Sequence, residues 1–306
     1  MKKTFESFLY GMPSRDYIHQ QADYDTQIQA AARKLKQADY VLIGAGAGIS
    51  TAAGAKYGGT FFEDHFAEFQ ERYGKGSYMQ DMYSAGFYPY PDEESYWGYW
   101  SKQAMLGGIC LDVTPLHKLL LNALKEKNLF VLSTNADGQF EKAGLSTDQI
   151  FCTQGDYFHI QCANACHNKL YDARKLFKQM DQARNNCKIP TYMVPKCPVC
   201  GGPMDMNLRK DNYFVQDEAW YAAEQRFSDF LAKAIHKKLV LLELGVGFNT
   251  PSIIRFPFEK LAKEHTNINL IRLNFDQAIV PESLGARAVG IDADMAKSIR
   301  DIVSNM

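Results

Sequence analysis

The chain has 306 residues, long enough for one large domain with an insertion or for two modest ones, and its 46% hydrophobic content permits a substantial core. Lys and Arg number 34 against 35 Asp and Glu, a net charge of −1, so no global basic field draws the chain to nucleic acid or to an anionic membrane. The N-terminal MKKTFESFLYGMPS carries Glu6 and Gly11 where a signal-peptide core would need apolar residues, and no run of about 18 apolar residues offers a membrane span. The expectation is a cytoplasmic protein with no nucleic-acid and no membrane partner.

In TQIQAAARKLKQADYVLIGAG, Ile28, Ala31, Ala32 and Leu35 recur at helical spacing, then Tyr40 to Ile43 form a short apolar run, then Gly44, Gly46 and Gly48 follow. The pattern predicts helix, strand, glycine loop. The next stretch, STAAGAKYGGTFFEDHFAEF, predicts a helix cut short by Gly54, Gly58 and Gly59. A dehydrogenase fingerprint would place a third glycine where Ile49 or Thr51 stands, and a phosphate loop of the Lys-Ser/Thr kind has no lysine here. Hydride transfer and phosphoryl transfer are both disfavoured. A glycine loop that is either a phosphate cradle at a helix start or a tight turn remains.

Between Tyr73 and Leu111 the chain is dense in aromatics, among them Tyr78, Tyr83, Phe87, Tyr88, Tyr90, Tyr96, Trp97, Tyr99 and Trp100. A helical insert whose rings fill its own small core is the expectation, with rings lining a substrate channel as the alternative. TPLHKLLLNALKEKN predicts a helix with Thr114 as N-cap and Pro115 in its first turn. A buried strand, LFVLSTNADG, follows.

Seven cysteines in a large chain do not suggest a disulfide framework, because four of them form two tight pairs, Cys162 with Cys166 and Cys197 with Cys200. Two such knuckles can close a tetrahedral Zn²⁺ site with no position left for water, which is a structural role. His167 is a possible substitute ligand, and Cys110, Cys152 and Cys187 read as ordinary thiols. KLVLLELGVG and INLIRLNFD, with the helix TPSIIRFPFEKLAKEH between them, complete a series of doubly buried parallel strands. The fold class is therefore α/β: a Rossmann-like parallel sheet domain (1–75, 112–158 and 206–306), with a helical insert (76–111) and a zinc-binding module (159–205). Ligands of such sheets bind beyond the carboxyl ends of the strands, here Gly44 to Gly48, Asn135 to Asp137, Gly245 to Asn249, and Asn274.

Taken in order, GAGIS (Gly46 to Ser50), TNAD (Thr134 to Asp137), GVGFNT, LN (Leu273, Asn274) and the two cysteine pairs resemble the sirtuin family from about Ile28 to the C-terminus. Four departures accompany the match. Gln154 in CTQGD stands where sirtuins carry a histidine, AKYGGTFF replaces a Pro-Asp-Phe-Arg stretch, Thr134 replaces a glutamine, and MDMNLRKDNYFVQD replaces the strand after the zinc module. The departures resemble the macrodomain-linked microbial subclass. That resemblance implies protein mono-ADP-ribosylation with NAD as co-substrate, a lipoylated glycine-cleavage H-like carrier as acceptor, a macrodomain hydrolase from a neighbouring gene as partner, and a link to oxidative stress.

It also implies the site. Gly44, Ala45, Gly46, Ala47, Gly48, Ser50, Thr134, Asn135, Asp137, Gly245, Val246, Gly247, Asn249, Asn274, Phe275 and Ile291 would contact NAD. Asn135, Gln154, Asp137 and Arg209 would carry the reaction, and Cys162, Cys166, Cys197 and Cys200 would hold zinc. An imidazole can take a proton from the ribose hydroxyls near neutral pH, whereas the Gln154 amide only donates and accepts hydrogen bonds. Deacylation should therefore be poor, and transfer to an already ionised carboxylate has no such need. Asn135 and Asp137 have a plainer reading as turn caps, and Arg209 as half of a surface ion pair. His159, as a displaced base, would point to the other face of a strand. Lysine deacylation, and a non-catalytic sensor of NAD or ADP-ribose, stand as rival readings.

Overall fold

The computed structural model describes residues 22–248 and 251–306. The N-terminal segment assigned above to the sheet domain and Asn249 of GVGFNT lie outside the described residues.

Helix α1 (Tyr24–Gln37) begins at Asp23, whose carboxylate accepts from Thr26 N at 3.1 Å, and buries Ile28, Ala31, Ala32 and Leu35 as their spacing predicts. Strand β1 (Tyr40–Ala45) runs into the short helix α2 (Ala47–Ala52), which stops before Gly54 at φ +103°. Next come α3 (Thr60–Tyr73), α4 (Met82–Ala85) and α5 (Glu93–Ala104), the last extended by a π-helical turn at Met105–Ile109. Thr114 caps α6 (Pro115–Leu124), which leads to β2 (Asn128–Ser133), α7 (Gln139–Lys142) and β3 (Ile150–Cys152). The chain continues through β4 (Gly155–Cys162), β5 (Tyr171–Asp172), α8 (Arg174–Ala183) and β6 (Met204–Leu208). It ends with α9 (Glu218–Ala234), β7 (Leu239–Leu244), α10 (Arg255–Glu264), β8 (Ile268–Asn274), β9 (Ala288–Asp292) and α11 (Met295–Ser304).

Six parallel strands form one sheet in the order β3-β2-β1-β7-β8-β9. The chain steps outward from β1 in one direction and, after returning, from β7 in the other. The order reverses between β1 and β7, and open sheets of this kind bind their ligands in the crevice beyond the carboxyl ends of the strands at such a switch point. Helices α1, α6 and α11 cover one face of this sheet and α9 and α10 the other, so both faces are apolar.

A second core lies outside the sheet. Phe62, Phe66 and Phe69 of α3 pack there with Trp97, Tyr99 and Trp100 of α5, and with Ile160, Cys162, Phe177 and Met206 around the three-stranded sheet β5-β4-β6. The aromatic insert thus shares its core with the zinc module. Three of the limits drawn above differ from the division between these cores. Helix α3, placed with the sheet by the limit at residue 75, belongs to the second core because its Phe62, Phe66 and Phe69 are fully buried there. The chain passes into this core at Gly155 and leaves it after Leu208, since β4 pairs along its length with β6.

Candidate active site and metal centre

The glycine loop is explained first by contact between backbones. A Cβ on Gly46 would lie 2.5 Å from Gly245 O, and one on Gly48 2.6 Å from Gly245 Cα, while Gly48 N donates to Gly245 O at 3.1 Å. Gly245 itself sits at φ +62°, a conformation that favours glycine. The loops after β1 and β7 therefore touch across the switch point, and any side chain would part them. Gly44 serves another contact, since a Cβ there would meet Ile254 Cγ2 at 2.4 Å. Ala47 is exposed on this loop, and Ala45 O accepts from Thr134 N at 3.0 Å.

Asn135, Ser50 and Asp137 form one hydrogen-bonded unit beside that loop. Asn135 Nδ2 donates to Gly46 O at 3.0 Å and to Ser50 Oγ at 3.3 Å. Ser50 Oγ donates to Asp137 Oδ2 at 2.5 Å, and Asp137 Oδ1 accepts from Gln139 N at 3.1 Å. Asp137 does take part in a turn, as its plainer reading expects, but its other oxygen faces Ser50. With Asp137 4% and Ser50 1% exposed, the unit is shielded from solvent, where its hydrogen bonds are strongest.

Three aromatic or amide side chains close in from the second core. The Tyr57 phenol lies against Ser50 and Asp137; burial first, and then the Asp137 carboxylate, push its pKa well above the tyrosine range. Tyr157 N donates to Ala136 O at 3.0 Å, and the Tyr157 hydroxyl accepts from Gln103 Nε2 at 3.2 Å. Gln103 Oε1 is buried without a partner among the described residues. On the other side His117, fully buried, bonds Thr114 Oγ1 through Nδ1 at 2.6 Å, and its Nε2 has no partner among the described residues. Burial lowers its pKa against the opposing pull of Asp137. Sequence patterning missed all four. Tyr57 alone carried a signal, as part of the AKYGGTFF departure.

Gln154 lies on the turn between β3 and β4 and not within a strand. Its carbonyl accepts from Arg209 N at 3.0 Å, which brings together two residues far apart in the chain. Gly155, at φ +81°, follows because a Cβ there would strike Asn207 O. Arg209 is held in no ion pair among the described residues. Its Nε donates to Thr153 O at 3.3 Å and its guanidinium stacks over Phe214 at 4.5 Å, leaving the side chain exposed. His159 is engaged elsewhere, with Nδ1 on the Asp156 carboxylate at 2.9 Å.

The far wall of the crevice comes from the loops after β7 and β8. Asn274 Nδ2 donates to Val246 O at 2.9 Å, Val246 is buried, Gly247 half-buried, and Phe275 is 69% exposed. Ile291 points into the core on the α1 and α11 side, so only its backbone is free to face a ligand. A separate groove of about 580 Å³, lined by Arg33, Lys34 and Glu282 among others, runs along the β9 edge and shares no residue with the crevice.

In the second core the cysteine pairs converge. Cys162 and Cys200 sulfurs are 3.7 Å apart, as are those of Cys166 and Cys197. Four thiolates about 2.3 Å from one ion would be spaced by about 3.8 Å, so the observed edges fit a zinc tetrahedron. His167 Nδ1 lies 3.1 Å from Cys166 Sγ, and Cys162, Cys166, His167 and Cys197 present ligand atoms within 4.8 Å of one another. His167 also bonds the Tyr171 hydroxyl through Nε2 at 2.9 Å. The cluster fits a structural zinc ion.

The same architecture is found in Sir2 structures. The chain superposes on a Sir2 homologue in complex with NAD with a TM-score of 0.54 at 15% identity, covering 93% of each chain. Against a Sir2 enzyme solved in a study of mechanism and regulation the score is 0.55 at 14% identity, covering 92% of this chain and 98% of that one. No family model matches the sequence. The fold defines a Sir2-type α/β protein. Over 280 residues the chain is 30% identical to the protein ADP-ribosyltransferase of Staphylococcus aureus (strain Mu50 / ATCC 700699), covering 91% of this chain and 88% of that protein, and it belongs to the sirtuin family. It is also 30% identical over 269 residues to a probable bifunctional ADP-ribose hydrolase/ADP-ribosyltransferase of Fusarium oxysporum f. sp. cubense, of whose length it spans 43%.

Proposed function

We propose that the chain is an NAD-dependent protein mono-ADP-ribosyltransferase. The observation that carries this reading is the pairing of an intact Asn135–Ser50–Asp137 unit with an amide, Gln154, on the β3–β4 turn beside Arg209. The likeness to the staphylococcal protein ADP-ribosyltransferase supports it.

NAD supplies an electrophilic ribose carbon with nicotinamide as its leaving group. The Gly44–Gly48 loop, the loop after β7 and Asn274 would hold the dinucleotide, with Asn135 directed to the ribose and Asp137 accepting from the nicotinamide carboxamide. An ionised carboxylate acceptor attacks without giving up a proton, so the absence of an imidazole at Gln154 costs little. Gln154 orients ribose hydroxyls, and the exposed Arg209 guanidinium draws an acidic acceptor through its planar fork. The zinc ligands in this reading are Cys162, Cys166, Cys197 and Cys200, with His167 outside the ligand set.

The finer reading follows the macrodomain-linked resemblance: a lipoylated glycine-cleavage H-like carrier in the cytoplasm as acceptor, a macrodomain hydrolase that reverses the modification, and a place in oxidative-stress responses. The hydrolase in the name of the fungal relative is in keeping with that partner. The test is to incubate the protein with labelled NAD, an acylated peptide and the lipoylated carrier, and to resolve products by mass spectrometry. ADP-ribose on the carrier is expected, and Asn135→Ala should abolish it with zinc content intact. Free lysine with acyl-ADP-ribose, or NAD bound and never consumed, would overturn the reading.

A further inference from the structure

Behind the wall formed by the loops after β7 and β8 lies a cluster of charges. Glu243 on β7, Arg272 on β8 and Arg255 at the start of α10 are each no more than 1% exposed. Arg272 grips Glu243 with a fork, Nε to Oε1 and Nη2 to Oε2, both at 2.8 Å. Its Nη1 reaches Glu259 Oε1 at 2.9 Å and the Ile279 carbonyl. Both carboxylates are thereby engaged.

Arg255 is left with Glu243 at 3.9 Å, and its buried Nε makes no hydrogen bond among the described residues. It turns to the two loops. Nη1 donates to Val246 O at 3.4 Å, Nη2 donates to Gln277 O, and the guanidinium lies over the Phe248 ring at 4.1 Å. Phe248 N donates in turn to Gln277 Oε1 at 3.2 Å. One side chain thus spans both loops.

The two guanidiniums share the Glu243 and Glu259 carboxylates, and because Arg272 holds both directly, Arg255 is the less closely paired of the two cations. Burial first, and then the neighbouring Arg272, push its pKa down to about 9. In a shielded site such a charge acts over a longer range than it would in water. A cluster serving only to hold the fold together would be as well made from apolar residues.

We infer that Arg255 is a positioning residue that makes the crevice selective for an anionic dinucleotide, clamping the β7 and β8 loops while lending their wall a positive charge for the diphosphate. The inference rests on the reading of the crevice as an NAD site.

The experiment is calorimetric titration of the full chain with ADP-ribose and with adenosine, which lacks the diphosphate, alongside a thermal melt and zinc content. Arg255→Met should weaken ADP-ribose binding by about tenfold and adenosine binding much less, as expected when a charge-assisted contact is lost. Phe248→Leu, a change on a half-buried loop, keeps the fold accessible if Arg255→Met does not fold, and should show the same preference reduced to a few fold. Equal losses for both ligands, or unchanged ADP-ribose affinity in a folded variant, overturn the inference. A wild-type chain that binds neither ligand removes the NAD reading itself, and this one with it.

Discussion

Ser50, in the short helix after the glycine loop, donates its hydroxyl at 2.5 Å to the carboxylate of Asp137, 87 residues further along the chain. The contact joins the end of β1 to the end of β2 at the edge of the switch point. Ser50→Ala would leave that buried Asp137 oxygen without a donor, and such a loss costs about 1.5–3 kcal/mol when the partner is charged. The expected result is a lower melting temperature and NAD consumption reduced by at least about tenfold. A variant with wild-type turnover would show that Asp137 needs no such support.

Gly48→Ala tests the contact between the loops. The new methyl would lie 2.6 Å from Gly245 Cα, backbone that has nowhere to retreat. Overpacking of this kind costs about 1–3 kcal/mol, and here it also parts the loops after β1 and β7. Thermal melts should show the stability loss and calorimetry a disproportionate loss of NAD affinity. Gly54→Ala is a useful contrast: its Cβ meets nothing within 4 Å, so only the backbone strain at φ +103° should register.

Zinc removal should act on one core before the other. The cysteine cluster is continuous with Trp97, Phe177 and Met206, and shares none of its residues with the cores of the large sheet. Chelation, or Cys197→Ser, is expected to abolish near-ultraviolet aromatic signals of the second core while far-ultraviolet signals of the sheet persist. Metal analysis should find about one zinc per chain. Cys200→Ser should lose the ion and His167→Ala should keep it; the reverse would move His167 into the ligand set.

His159 should matter to stability and not to turnover. Its hydrogen bond to Asp156, the largest cause, raises its pKa above the usual 6.5. A raised folded-state pKa means that the stabilising contribution is complete below about pH 6.5 and fades as pH climbs through the folded-state value. The melting-temperature gap between wild type and His159→Gln should therefore be wider at acid pH than at alkaline pH. An activity loss in this variant with unchanged stability would revive His159 as a displaced base.

Much of the fold was legible because its signals are local. Ile28, Ala31, Ala32 and Leu35 announced α1, Thr114 with Pro115 announced α6, and the apolar runs announced parallel strands buried on both faces. Helix α3 was misplaced for a physical reason. The spacing of Phe62, Phe66 and Phe69 declares an apolar face without saying which core receives it. The site was legible where a motif is contiguous, as at TNAD, and obscure where folding joins distant segments, as with Tyr57 at Ser50 and Gln154 at Arg209. Arg255 and Arg272 were invisible, because a charged residue in sequence reads as surface until its partners are known.

Gln154 and Arg209 sit where the backbone crosses between the two cores, outward at Gly155 and back after Leu208, and they are fastened to each other by Arg209 N on Gln154 O at 3.0 Å and Arg209 Nε on Thr153 O at 3.3 Å. A twist of the zinc-bearing half against the sheet passes through these two crossings as well as those that lead into α3 and out of α5. The pair would then travel as one piece relative to Asn135, so the gape of the crevice and the alignment of the groups proposed to react there are a single mechanical coordinate.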